Sequence, residues 1–215
     1  MTSRREFLDT VAARLQDGIP DNPIRPLLEV ADDPIEYTID MSDPGATFTE
    51  AAQALGAEVV RLSSVELPSY ALELCRELGE RARVAVTREP VCAPVAEYLG
   101  SAGIPLEPDA APGTLSGVAL GITGTRTGVA LTGSVVIDSS VPGARVVSLL
   151  PEAHLAILRS GDIVPDPGFV LRALDRTTLP SNLVFVTGPS RSADIELQLT
   201  IGVHGPSRLV IALID

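Results

Sequence analysis

Hydrophobic residues near the start of the chain recur at helical spacing. A capping box at Ser3–Glu6 is followed by apolar residues at intervals of four as far as Leu15, which predicts an amphipathic helix over residues 3–16. From Pro20 to about Gly45 the chain is rich in Pro and Asp and has no periodicity. This composition predicts an extended arm that lies on the domain or reaches a partner.

From about residue 46 onward, helical and strand-like segments alternate. Helices are predicted near 48–55, 69–79, 92–102, 167–175 and 192–201, and strands near 57–62, 83–87, 183–187 and 209–214. Such alternation normally builds a parallel sheet. Short apolar runs separated by Gly, Pro or Ser predict consecutive, partly antiparallel strands at 118–122, 129–131, 134–138, 146–149 and 155–158. We therefore expect residues 1–45 to form a helix and arm, and residues 46–215 to form one α/β domain.

Composition narrows the classes of function. The chain has 215 residues, a net charge of −12 and 3% aromatic residues, and its basic residues form no cluster. These features argue against binding to nucleic acid or to anionic membrane surfaces. Apolar runs are far shorter than the ~20 residues of a membrane span, and acidic residues interrupt the N-terminus, unlike a secretory signal. We therefore expect a cytoplasmic protein without a membrane span.

The inventory of reactive side chains excludes several chemistries. All basic residues other than His are Arg, so a Schiff-base lysine, a phosphate-loop lysine and a Ser-Lys pair are excluded. Cys75 and Cys92 fit neither a zinc motif nor the cysteine quartets of iron–sulfur clusters. The histidines, His154 and His204, lie fifty residues apart and show no metal-binding spacing. We expect this chain to bind no metal and no iron–sulfur cluster of its own.

Two Gly-rich and Thr-rich turns surround a short apolar run and supply one set of candidate ligand-binding residues. Glycine lets the backbone approach a ligand closely, and Thr and Ser add hydroxyl groups. Ordinary hairpin turns would give the same composition, so both interpretations stay open. The candidates are Thr123, Gly124, Arg126, Thr132, Gly133 and Ser134.

A second set follows the strand predicted at 183–187. Gly188 and Pro189 lead into Ser190, Arg191 and Ser192, which would lie at the N-terminus of the helix predicted near 192–201. Backbone N–H groups, hydroxyls and a guanidinium at a helix start form an anion pocket. A well-capped helix would show the same Ser followed by acids, here Asp194 and Glu196. Arg191 opposes the helix dipole, which indicates a bound anion, a carboxylate partner or plain exposure to solvent.

Candidates for proton transfer are few. His204 lies beside glycines in a turn, and Glu196 follows the predicted anion pocket. A structural role is an equal alternative for His204 and for His154, which we also count among the ligand-binding candidates. The chain has no Gly-x-Ser-x-Gly elbow and no other independent catalytic motif, so its residues leave open whether it is an enzyme.

Five motifs in a fixed order carry a family resemblance over about residues 116–215. They are Gly121-Ile122-Thr123, Thr132-Gly133-Ser134, Leu149–His154, Gly188–Glu196 and Gly202–Pro206. Together they resemble the LUD-domain family, in its lactate-utilisation protein C type. The resemblance implies a three-layer α/β/α fold with a largely parallel sheet, similar to the NagB/RpiA/CoA-transferase group.

The resemblance also implies a function. It points to a component of a system that oxidises L-lactate to pyruvate. This component has no iron–sulfur cluster of its own and works with partner subunits that carry the clusters. The ligand expected of it is a small anion such as lactate or pyruvate, or a nucleotide-type cofactor. Leu131 departs from the family pattern, which has an acidic residue before the Thr-Gly-Ser turn. Two alternatives stay open: an assembly subunit that docks partners through residues 20–45, and a CoA-transferase-like enzyme with Glu196 as its carboxylate.

Overall fold

A computed structural model gives the tertiary structure. It describes Glu6 and residues 38–79, 82–107, 111, 113–175, 177–193, 199–201 and 205–215. The chain divides into two units, Met1–Thr38 and Ile39–Asp215. Glu6 is helical and exposed, and the rest of the helix predicted over 3–16 lies outside the described residues, as does most of the arm. The predicted division of the chain at 45/46 stays a prediction.

The second unit contains five α-helices, one 3-10 helix at Ser160–Asp162 and twelve strands within its described residues. The helices are α1 Pro44–Ala54, α2 Leu67–Glu77, α3 Ala93–Ser101, α4 Ala144–Leu149 and α5 Pro167–Arg172. The strands are β1 Glu58–Leu62, β2 Val84–Val86, β3 Leu106–Glu107, β4 Leu120–Gly124, β5 Thr127–Val129, β6 Ser134–Asp138, β7 Ala153–Arg159, β8 Ile163–Val164, β9 Leu183–Val186, β10 Arg191–Ala193, β11 Leu199–Ile201 and β12 Arg208–Ile214. In these residues no helix is long and apolar enough to cross a membrane.

Six of the strands form one parallel sheet in the order β1-β12-β7-β4-β2-β3. From β2 the chain moves outward to β3, then jumps back to β4 and continues the other way through β7 to β12. The direction of winding therefore reverses between β2 and β4. In open α/β sheets, ligands bind in the crevice beyond the carboxyl ends of the strands at such a reversal point.

The parallel sheet is buried on both faces. Leu155 and Ile157 of β7 pack with α2 and α3, whereas Ala156 and Leu158 pack with α1 and the β5–β6 region. Residues 209–214 of β12 are all buried, which confirms the prediction of a central strand covered on both faces. Helices on both sides of a mostly parallel sheet confirm the predicted α/β/α arrangement.

A second, four-stranded sheet has the order β8-β5-β6-β9. Strand β6 is antiparallel to both β5 and β9, and β5 is parallel to β8. This confirms the expectation of a partly antiparallel section. The sheet places Ser134, the first residue of β6, and Asp138, its last, at opposite ends.

The strand predicted at 146–149 is wrong, because these residues belong to α4. The helix follows Gly143, whose φ of 80° lies in the left-handed region. Val147 is buried on the sheet while Arg145 faces solvent. A Cβ on Gly121 of β4 would lie 2.0 Å from the Val147 carbonyl oxygen, so this helix approaches the sheet at a glycine. A run of four residues, three of them apolar, is too short to distinguish a period of 3.6 from a period of 2.

The helix predicted near 192–201 is also wrong in its described parts. Strands β10 and β11 are paired antiparallel, with Arg191 opposite Ile201 and Ala193 opposite Leu199 in the register. Residues 195–201 alternate apolar and polar side chains, which is the period of a strand and was available in the sequence. Arg191 and Ser192 therefore lie in a strand and not at the helix N-terminus that the predicted anion pocket requires.

Candidate functional site

A cavity of about 200 Å³ opens at the carboxyl edge of the parallel sheet, beside the reversal point between β2 and β4. Residues from three elements meet here, because β2, β4 and β6 all end at this place. Its lining consists of Glu89, Gly124, Thr125, Arg126, Asp138 and Val141. At about 30 Å³ per water, the cavity has room for about seven water molecules or one small metabolite.

Glu89 is the least satisfied polar group of the cavity. Its Oε2 atom is buried and accepts no hydrogen bond within the described part of the protein. Buried carboxylate oxygens are normally paired, so this atom needs a donor. Glu89 belongs to none of the sequence motifs described above. The signal that could have found it is its position just after the predicted strand 83–87, because carboxyl ends of parallel strands bind ligands.

Arg126 and Asp138 form the charged pair of the cavity. The Arg126 guanidinium donates to Asp138 Oδ2 across 2.6 Å, and the Ser140 N–H donates to Asp138 Oδ1 across 2.8 Å. Burial alone would raise the pKa of Asp138, but these hydrogen bonds outweigh it and hold the pKa below its ordinary value. A guanidinium has five N–H donors, so Arg126 keeps donors for a ligand. Its side chain is 38% exposed.

Gly124 sets the width of the cavity. A Cβ at this position would lie 3.0 Å from Val91 Cγ1 and 3.2 Å from Glu89 Cβ. Contacts this short require a neighbour to move, so a larger residue would displace the segment that carries Glu89. Of the residues predicted from the sequence, the structure places Gly124 and Arg126 in this cavity.

The second of the two predicted turns, Thr132-Gly133-Ser134, lies outside this cavity. Thr132, Ser134 and Thr187 form a chain of hydroxyl hydrogen bonds, each 2.7 Å long. Ser134 begins β6 and Asp138 ends it, so about 13 Å of strand separates the hydroxyl chain from the Arg126 pair. The turn itself packs on α1, because a Cβ on Gly133 would lie 2.2 Å from the Ala52 nitrogen.

The Gly188–Ser190 turn is at the amino edge of the parallel sheet. Gly188 has a φ of 90°, and a Cβ there would lie 2.7 Å from the Leu55 carbonyl oxygen. The Ser190 N–H donates to the carbonyl oxygen of Pro206, two residues before β12. The predicted residues Gly188 and Ser190 therefore lie at the edge opposite to the cavity.

The rest of the predicted anion pocket is only partly described. Arg191 and Ser192 belong to β10, whose backbone alone is described, and Asp194, Glu196 and His204 lie outside the described residues. Their assignments as ligand-binding or catalytic groups stay predictions. Within the described residues, no three His, Cys, Asp or Glu side chains are grouped as metal ligands.

His154 and Thr123 form a polar pair inside the core. Thr123 Oγ1 and His154 Nε2 are 2.9 Å apart, and both residues are 0% exposed. Burial lowers the pKa of His154 to about 4, so the ring is neutral at neutral pH. His154 Nδ1 has no hydrogen-bond partner in the described part of the chain. A buried ring beside the Thr123 hydroxyl agrees with the structural role considered for His154. The predicted contact of His154 with a ligand stays a prediction.

This chain is similar in sequence to several known proteins. Residues 113–214 match the LUD domain. Over 101 residues the chain is 40% identical to lactate utilization protein C of Bacillus subtilis and of Halalkalibacterium halodurans. These alignments cover 45% of this chain and 42% and 44% of the two relatives, so the matched segment spans less than half of their length.

Two further similarities extend over more of the chain. An uncharacterized protein of Escherichia coli, YkgG, is 28% identical over 100% of this chain and 99% of its own. A crystal structure of a DUF162 family protein from Deinococcus radiodurans has a TM-score of 0.62, with 23% identity over 83% of this chain and 100% of that chain. The structural likeness supports the fold, and the sequence matches confirm the resemblance found in the ordered motifs. Residues 113–214 of this chain are therefore similar in sequence to the LUD domain, in agreement with the ordered motifs.

Proposed function

We propose that this chain is a component of L-lactate utilisation and that its carboxyl-edge cavity binds a small 2-hydroxy acid. The names of its relatives support the pathway, and the buried, unpartnered Oε2 of Glu89 beside Arg126 supports the ligand class. In this proposal the chain holds the hydroxy acid, and partner subunits carry the iron–sulfur clusters.

A 2-hydroxy acid complements the two ends of this cavity. Its carboxylate accepts hydrogen bonds from the Arg126 N–H groups that Asp138 leaves free, in the paired geometry that guanidinium favours. Its hydroxyl group donates to Glu89 Oε2, which satisfies the buried oxygen. Asp138 and Glu89 repel the ligand carboxylate, so we expect a dissociation constant of about 1 mM, suited to NMR titration.

The test compares ligands that differ by one group. L-lactate has the hydroxyl donor, whereas propionate and pyruvate lack it. We expect lactate to bind about tenfold more tightly than propionate or pyruvate, because either analogue leaves Glu89 Oε2 unpaired. Equal affinities for lactate and propionate would overturn the assignment of Glu89.

Matched variants assign the roles of the two side chains. Glu89→Leu removes the acceptor and should abolish the preference for lactate over propionate. Arg126→Met removes the cation but keeps an unbranched, flexible side chain, and should weaken both ligands about tenfold. Arg145→Ala is the control, because Arg145 is exposed on α4 and does not line the cavity. If Arg126→Met binds lactate as the wild type does, the site is misplaced.

Reconstitution separates a ligand-binding component from a scaffold. Lactate oxidation by the iron–sulfur partner subunits should depend on this chain and should fall with Glu89→Leu and Arg126→Met. If lactate oxidation requires this chain but both variants remain fully active, the result would favour the hypothesis of an assembly subunit. Purified protein should also contain no iron above background, because the clusters belong to the partners.

A further inference from the structure

A second, larger cavity lies at the same edge of the parallel sheet, beyond the ends of β1, β7 and β12. Its volume is about 370 Å³, within the range of small-molecule sites. Glu89 of the first cavity is followed directly by Pro90 and Val91, which form a wall of the second. The full lining is Ser64, Leu67, Pro90, Val91, Pro94, Arg159, Ile214 and Asp215.

Arg159 is the cation of this second cavity. It ends β7, on the same face of the strand as Leu155 and Ile157, and lies opposite Ile214 in the strand register. In the part of the chain that the structure describes, its guanidinium makes no hydrogen bond and no ion pair, unlike those of Arg83, Arg126 and Arg208. The guanidinium is therefore available to an anionic group beside largely apolar walls.

Two helix starts add to the positive potential. Leu67 is the first residue of α2, and Pro94 is the second residue of α3, so both helices begin at this cavity. Neither N-cap residue, Glu66 or Cys92, makes a side-chain capping hydrogen bond to its helix. The positive ends of both helix dipoles lie at this cavity. The Glu66 carboxylate, which accepts hydrogen bonds from the N–H and hydroxyl of Ser63, also lies at the start of α2 and offsets part of that potential. Asp215 is the opposing charge in the lining.

We propose that this second cavity binds an organic anion that has an apolar body, with its charged group on Arg159 and its hydrocarbon portion against Leu67, Val91 and Ile214. At about 30 Å³ per water, this cavity holds about twelve water volumes, against about seven for the first, so its occupant is larger than a three-carbon acid. The inference does not depend on lactate binding, because the residues, the ligand and the assays are different.

The experiment uses simple probes of the full chain in titrations followed by NMR. Hexanoate should bind at least tenfold more tightly than acetate, since each buried methylene contributes about 0.8 kcal/mol. Hexanoate should also bind about tenfold more tightly than 1-hexanol, which lacks the charge. Equal binding of hexanoate and 1-hexanol would overturn the role of the cation. Equal binding of acetate and hexanoate would overturn the apolar subsite.

Variants locate the site and fix the sign of its charge. Arg159→Ala should weaken hexanoate about tenfold, whereas Arg145→Ala should not. Ser64→Trp should fill the cavity and block hexanoate, whereas Val65→Trp, at a neighbouring residue that is 85% exposed and outside the lining, should not. Asp215→Asn should strengthen hexanoate binding, because it removes a like charge. Weaker binding in Asp215→Asn, or unchanged binding in Arg159→Ala, would overturn the proposal, and neither result would alter the lactate comparison.

Discussion

The buried pair of His154 and Thr123 predicts how the stability of this protein depends on pH. His154 is fully buried in β7, and burial lowers the pKa of its ring from the ordinary 6.5 to about 4. As the pH falls through 6.5, the unfolded chain takes up a proton at this residue while the folded protein does not. The folded state therefore loses stability from about pH 6.5 down to about pH 4.

The magnitude follows from the two pKa values. The gap between 6.5 and about 4 corresponds to about 3 kcal/mol of unfolding free energy, of which about 2 kcal/mol is lost by pH 5. This is a large fraction of the 5–15 kcal/mol by which native domains are typically stable. The loss adds to that of any carboxylates whose pKa is lowered in the folded state, such as Asp138.

Chemical denaturation at pH 7.5 and pH 5.0 measures the effect, with His154→Leu as the comparison. The carboxylates titrate in both proteins, so the wild type should lose about 2 kcal/mol more than the variant between the two pH values. Thr123→Val is the control, because it keeps the imidazole. It should lower stability by about 1–3 kcal/mol at both pH values and leave the pH dependence intact. The same pH dependence in the wild type and in His154→Leu would refute the reasoning.

Two further predictions concern packing and thiol reactivity. Gly133→Ala should lower the unfolding free energy by about 2–5 kcal/mol, since its φ of 60° disfavours a side chain and a Cβ would collide with the α1 backbone. Gly117→Ala has a φ of 72° but open space, so it should cost only about 1–2 kcal/mol; equal losses in urea unfolding would contradict the close packing. Burial raises the pKa of Cys75 to about 11 and that of Cys92 to about 12, so neither thiol should react with a disulfide reagent at pH 8 until guanidinium unfolds the protein. Rapid labelling of the folded protein would contradict this.

Local patterns in the sequence determined much of the architecture. The alternation of helical and strand-like segments between 48 and 102 predicted three helices and two strands close to their observed positions. The six apolar residues at 209–214 predicted a strand buried on both faces, and β12 is such a strand. These predictions succeed because the apolar side chains on the buried face of a helix or strand recur at the period of that element.

The failures arise where a short pattern is compatible with two structures. The apolar residues at 146–149 fit a strand or one helical turn, and the contact of α4 with Gly121 selects the helix. Residues 195–201 alternate as a strand does, yet the Ser and acidic residues before them resemble a helix start. The pairing of β10 with β11, which joins residues 191–193 to residues 199–201, is the contact that a linear pattern does not contain.

The candidate site also depends partly on the local sequence and partly on the tertiary structure. The sequence by itself determined that Gly, Thr, Ser and Arg are concentrated in turns around residues 121–134, and the order of those motifs identified the LUD resemblance. Only the tertiary structure decided that Gly124 and Arg126 join Glu89 and Asp138, while Ser134 lies at the far end of β6. The physical reason is that a site at the edge of a parallel sheet collects residues from strands that are neighbours in space but not in sequence, and the strand order follows from packing of the whole chain.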